Sequence, residues 1–182
     1  MKKIILILLC MIFVFAGCSN KPDDPLANYV GEGQMTVLRY LIDSNAYWVE
    51  DVFIEKSLTA ETGKSINHEG GTYSLVISDK ITTYDELRSS LEETYTKEAA
   101  EKILAESDKY AEIDGKLYCN TKYFMEQTDD YDWSEPEIEV ISAADGRYEL
   151  EATIRNEKGR KHKLEITAVT VDGDIRLENM YY

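Results

Sequence analysis

Two periods divide the chain. From Glu135 onward apolar and polar residues alternate, whereas before that point apolar residues recur at helical spacings. In residues 137–141, Ile138 and Val140 stand against Glu137 and Glu139. In residues 147–155, Tyr148, Leu150, Ala152 and Ile154 stand against Arg147, Glu149, Glu151, Thr153 and Arg155. A period of two means strands with one dry and one wet face. Turn signals at Asp145-Gly146, Lys158-Gly159 and Asp172-Gly173 cut this region into an antiparallel meander of four strands. In the third strand the apolar parity shifts from Leu164, Ile166 and Ala168 to Val169 and Val171, which predicts a bulge near Ala168 and a curled sheet.

The earlier region reads as helices. Between Gly33 and Glu55, Met35, Leu38, Leu41, Ile42, Val49, Val52 and Phe53 form an apolar stripe, with Trp48 at it and Arg39, Asp43, Glu50 and Asp51 between. Thr62-Gly63 and His68-Glu69-Gly70-Gly71 read as loop, followed by a short extended segment from Thr72 to Ile77. Thr83 with Glu86 makes a capping box ahead of Leu87, Leu91 and Tyr95. Thr96 starts a second helix carrying Ala100, Ile103 and Leu104, so the chain turns sharply around Tyr95. Asp114-Gly115 is a turn, and Lys116 to Asn120 a strand. A one-sided sheet must bury its dry face on another layer. The expected fold is therefore α+β, with N-terminal helices packed on a curved antiparallel β-meander of about four strands.

The first residues carry an address. Lys2 and Lys3, the apolar run Ile4 to Phe15 and then Ala16-Gly17-Cys18 form a lipoprotein export signal, too short to span a bilayer. Cleavage leaves Cys18 as the first residue and the site of lipidation. The expected organisation is a signal peptide over residues 1–17, a tether over 18–28 bearing Pro22 and Pro25, and an α+β domain over 29–182. That domain is either one unit or two lobes, 29–79 and 80–182. The expected location is the outer face of a bacterial cytoplasmic membrane, of the Gram-positive kind, held by lipid.

Charge narrows the partners. The formal net charge is −15, and removal of Lys2 and Lys3 with the signal makes the remainder more acidic. Such a field repels nucleic acid and anionic polymers, opposes self-association in favour of a monomer, and leaves open a basic protein or a neutral ligand. With 43% apolar residues and 13 tyrosines, the chain has material for a core without disulfides.

Chemistry is sparse. Cys119, in the strand-like Lys116-Leu117-Tyr118-Cys119, reads as a small buried hydrophobe rather than a nucleophile served by His68 or His162. Among 35 acidic residues no carboxylate pair stands out as a hydrolase dyad. Asp130, Asp132 and Ser134 alternate like calcium ligands, but Glu135 occupies the position where the turn needs glycine, so neither metal nor cofactor is expected. The densest polar-aromatic cluster runs from Gln127 to Glu135. In it Tyr131 and Trp133 could anchor a protein interface and Asp129, Asp130 and Asp132 could steer a basic partner. The alternative reading has Trp133 buried at the start of the sheet and the aspartates merely solvated.

An ordered set of short motifs then carries a resemblance: Ile81-Thr82-Thr83-Tyr84-Asp85-Glu86-Leu87, Tyr95-Thr96-Lys97-Glu98-Ala99-Ala100, Ile113-Asp114-Gly115-Lys116-Leu117-Tyr118, Asp132-Trp133 and the closing meander. In these the chain resembles the IseA family of DL-endopeptidase inhibitors. The resemblance implies an exported, non-enzymatic protein that restrains cell-wall autolysins of the NlpC/P60 cysteine peptidase class. The chain departs from the family pattern at Ile175-Arg176-Leu177, and in its lipid anchor. The other function left open is a non-catalytic ligand-binding lipoprotein with an NTF2-like or cystatin-like helix-on-sheet domain.

Overall fold

The computed structural model describes residues 30–125, 131–156 and 158–182. The export signal, Cys18, Asp129 and Asp130 lie outside the described residues. Helix α1 (Glu32–Tyr47) runs straight into a π-helical segment, Trp48–Phe53, closed by the Ile54 N–H donating to the Val49 carbonyl at 2.9 Å. The wider π turn keeps Trp48, Val49, Val52 and Phe53 buried, while Asp51 stays exposed. Two short helices follow later, α2 (Tyr84–Glu92) and α3 (Lys97–Glu106).

Eight strands form two antiparallel sheets. The first holds β1 (Ala60–His68), β2 (Gly71–Val76), β3 (Tyr110–Ile113) and β4 (Lys116–Asn120) in the order β1-β2-β4-β3. The second is the expected meander, β5 (Tyr131–Ala144), β6 (Arg147–Asn156), β7 (Lys161–Val171) and β8 (Asp174–Leu177), paired in chain order. The α+β reading holds, with α1 packed against β5 and β8. The first sheet straddles the boundary between 29–79 and 80–182, because β2 pairs with β4. One hydrophobic cluster joins α1, both sheets and the short helices.

Three details differ from the pattern-based expectation. β1 occupies a segment read as loop; it is an edge strand of mostly exposed polar residues, so no apolar alternation marks it. β3 was also unmarked. The bulge lies elsewhere too: β7 pairs with β6 from Lys161 to Val169 without a register break, and Val171 is simply exposed at the sheet rim. The breaks fall in β5, between Asp132 and Glu137 and between Val140 and Ser142. Pro136 lies in the first break, where a residue without an N–H cannot continue the ladder. Curvature therefore enters through β5.

The turn at Tyr95 is the hinge pin of the architecture. Tyr95 is fully buried, the Thr96 N–H donates to the Leu177 carbonyl at 2.8 Å, and the Leu177 N–H donates to the Thr94 carbonyl at 2.9 Å. The α2–α3 junction is thereby hydrogen-bonded to β8, tying the short helices to the meander.

Candidate functional site

The segment joining β4 to β5 crosses from the first sheet to the second, and its flanks are held. On one side, the 3-10 turn Thr121–Met125 is fixed by the Thr121 hydroxyl, which donates to the Thr72 carbonyl at 3.1 Å, and by the Tyr123 hydroxyl, which donates to Asp108. On the other, Tyr131 pairs with Asn156 and lies against His162, with ring centroids 5.0 Å apart.

β5 then alternates, which decides the fate of each predicted contact residue. Tyr131 is half-buried, Asp132 is exposed, and Trp133 is turned into the core at 5% exposure. Trp133 is therefore no free-standing anchor; its ring forms a wall. Beside it a groove of about 380 Å³ is lined by Asp43, Tyr47, Glu50, Asp51, Asp132 and Trp133 among others. Pattern alone left Asp43, Glu50 and Asp51 as the solvated side of an amphipathic helix. Their charge type was visible in the sequence, but their meeting with Asp132 depends on how α1 crosses β5.

Electrostatics in the groove are unbalanced. The Ser134 hydroxyl and N–H hold the Asp132 carboxyl below the usual carboxylate range, the N–H donating to Oδ1 at 2.9 Å. Glu50 goes the other way. Partial burial pushes its carboxyl up, and Glu55, Asp51 and Asp132 add repulsion that Lys56 only partly offsets. Lys56 pairs with Asp51 at 3.1 Å, a solvent-exposed contact of small energetic weight. The Tyr47 phenol is also pushed up, by burial and by Asp51, so it stays neutral. A lysine or arginine brought in from outside would find charge-assisted acceptors on α1, on the π-helical segment and on β5 together.

Neither a cysteine nor a histidine is among the described residues that line the groove. Cys119 is fully buried in β4, and burial pushes its thiol up, against the opposing pull of Ser57 and Lys109. The imidazoles sit against tyrosines instead: His68 lies edge-on to Tyr73 at 6.1 Å, and His162 lies on Tyr131. Among the described residues, no three His, Cys, Asp or Glu side chains converge as a metal site would require.

The profile of the IseA DL-endopeptidase inhibitor family matches residues 41–180. The chain belongs to this family. The matched span takes in every strand of both sheets, the short helices, the π-helical segment and the C-terminal part of α1 from Leu41, including Asp43, Glu50, Asp51 and Asp132 of the groove. No curated protein gave a significant match. As an IseA family member, the chain comes with an inhibitory rather than a bond-breaking role as its family character, and with DL-endopeptidases as the class of enzyme concerned.

Proposed function

We propose that this protein is a non-catalytic inhibitor of cell-wall DL-endopeptidases of the NlpC/P60 class, acting by protein-protein binding as a monomer. Lipid on Cys18 holds it at the outer face of the cytoplasmic membrane of a Gram-positive bacterium. The observation that carries the binding mode is that Asp43, Glu50, Asp51 and Asp132 line one groove beside the wall of Trp133. Carboxylates on three separate chain segments form a surface complementary to a basic partner, and the net charge of −15 steers such a partner in. Asp129 and Asp130 precede Asp132 in sequence and carry the same sign of charge. Residues 1–18 support the anchor through their export-signal pattern; among the described residues no helix is long and apolar enough to cross a membrane.

The test uses the full chain in detergent micelles, mixed with an NlpC/P60 endopeptidase domain, and follows cleavage of a peptidoglycan stem peptide at rising salt. Inhibition that weakens with salt is expected. The variant D129N/D130N/D132N should inhibit about tenfold less and show a flatter salt response. Undiminished inhibition by that variant removes the loop from the account. Cys18→Ser should move the protein from the membrane fraction to the medium.

A further inference from the structure

The outer face of α1 carries a second feature. Val37, Tyr40 and Tyr47 lie opposite the buried stripe and are 40%, 62% and 43% exposed. Lone exposed apolar residues are ordinary, but these share one helical face with Asp43 and Ser44. Tyr40, Asp43, Ser44 and Tyr47 of that face form one side of a groove of about 610 Å³, whose other side is the β2–α2 connection (Ser78, Asp79, Lys80, Ile81) and the end of α2 at Glu93. Its floor is rigid: Trp48 is buried there, and its indole N–H donates to the Thr94 hydroxyl at 3.1 Å. Asp43 and Tyr47 also line the acidic groove beside Trp133, so the two grooves meet along α1.

We propose that this aromatic groove between α1 and the β2–α2 connection is a second docking surface, which takes an arginine-bearing segment of the inhibited endopeptidase. The proposal rests on the inhibitory reading given above. Charge and ring chemistry choose the occupant. Of the ionisable groups lining the groove, Asp43, Asp79 and Glu93 are acidic and Lys80 is basic, which leaves an excess of negative charge. Exposed tyrosine faces attract a guanidinium through their π-electrons, and carboxylates accept its planar fork in a way they cannot match with a lysine ammonium. Tyrosine and arginine are also the side chains that most often dominate interface energies.

The experiment takes the full-length chain in micelles, an NlpC/P60 endopeptidase domain and three variants that avoid the groove beside Trp133. Tyr40→Ser changes a side chain that is mostly in water and should raise the inhibition constant about tenfold. Tyr40→Gln, which keeps good helix propensity, is the second variant in case the first unfolds. D79N/E93Q should slow association and flatten its salt dependence, and amides of residues 78–81 should gain exchange protection in the complex. If wild type inhibits and the variants, melting normally, inhibit equally well, the second surface is refuted while the inhibitory reading stands. If wild type leaves cleavage untouched, both fall. A dimer that forms with concentration and is lost in Tyr40→Ser would assign the face to a second copy and overturn the proposal.

Discussion

Replacing Asn45 by alanine should be among the most damaging single changes in this protein. Asn45 is fully buried on α1 and holds three hydrogen bonds. Its Oδ1 accepts from the Tyr95 hydroxyl at 3.0 Å and from the Tyr181 N–H at 3.0 Å, and its Nδ2 donates to the Tyr181 carbonyl at 2.9 Å. One amide thus joins α1, the α2–α3 junction and the C-terminal tail. Truncation orphans the Tyr95 hydroxyl, which has no access to water, at a cost of about 1–3 kcal/mol. The two bonds to half-buried Tyr181 add about 0.5–1.5 kcal/mol each, giving a total of about 4 kcal/mol. Domains of this kind are stable by only about 5–15 kcal/mol, so a loss of that size leaves little reserve. Urea unfolding monitored by tryptophan fluorescence measures it. The mechanism is checked by the double variant N45A/Y95F. Removing the stranded hydroxyl along with its partner should return about 1–3 kcal/mol relative to N45A, so the two single costs should exceed the double. A cost below about 1 kcal/mol for N45A, or strictly additive costs, would refute the reasoning.

The Glu50 carboxyl is raised in the folded state, so its charged form opposes folding, and the stability it allows at low pH is lost as pH rises through its folded pKa. Glu50→Gln should therefore melt higher than wild type at pH 7, with the gap closing once acid has protonated the glutamate in both states; parallel melting curves at every pH would contradict this. Thr83→Ala removes the hydroxyl that accepts from the Glu86 N–H at 3.1 Å and should cost about 1 kcal/mol by urea titration, with Thr83→Ser near wild type. Gly71→Ala would place a Cβ 2.7 Å from Cε2 of the buried Tyr73 ring, beside Asn120, so a loss of about 1–3 kcal/mol is expected, whereas an unchanged midpoint would mean that the ring moves freely.

Much of this architecture was legible because local chemistry and tertiary structure agree. The Asp-Gly pairs at 114–115, 145–146 and 172–173 all adopt positive φ at both residues, the geometry that tight hairpins demand. The capping box at Thr83 forms as its residues predict, and Tyr148, Leu150, Ala152 and Ile154 all turn inward. What was illegible depended on partners distant in sequence. β1 is a strand because β2 offers it an edge, and its own residues from Glu61 to Asn67 carry no dry face. The parity shift at Val169 pointed to a bulge, but Val169 and Val171 sit where β7 nears its end, and burial there is too slight to enforce a side. The site divides along the same line. Asp132 could be singled out from its neighbours Tyr131 and Trp133, but its companions on α1 could not, since an acid on the polar side of a helix looks alike whether it faces bulk water or another carboxylate.

The cost of that crowding is itself informative. Each acid of the groove beside Trp133 follows or precedes a buried residue: Asp43 follows Ile42, Glu50 and Asp51 lie between Val49 and Val52, and Asp132 precedes Trp133. Packing therefore holds Glu50 near like charges: burial does most to raise its carboxyl, and Glu55, Asp51 and Asp132 add to it. A site that keeps like charges together in the unbound state has already met the ordering cost that binding would otherwise impose, and an incoming cation relieves repulsion as well as gaining attraction. Stability and affinity should then move in opposite directions at these positions. Glu50→Gln, stabilising at neutral pH, should weaken inhibition, whereas loss of Asn45, which lies across the helix from the groove, should reduce stability without altering the salt dependence of binding in the fraction that stays folded.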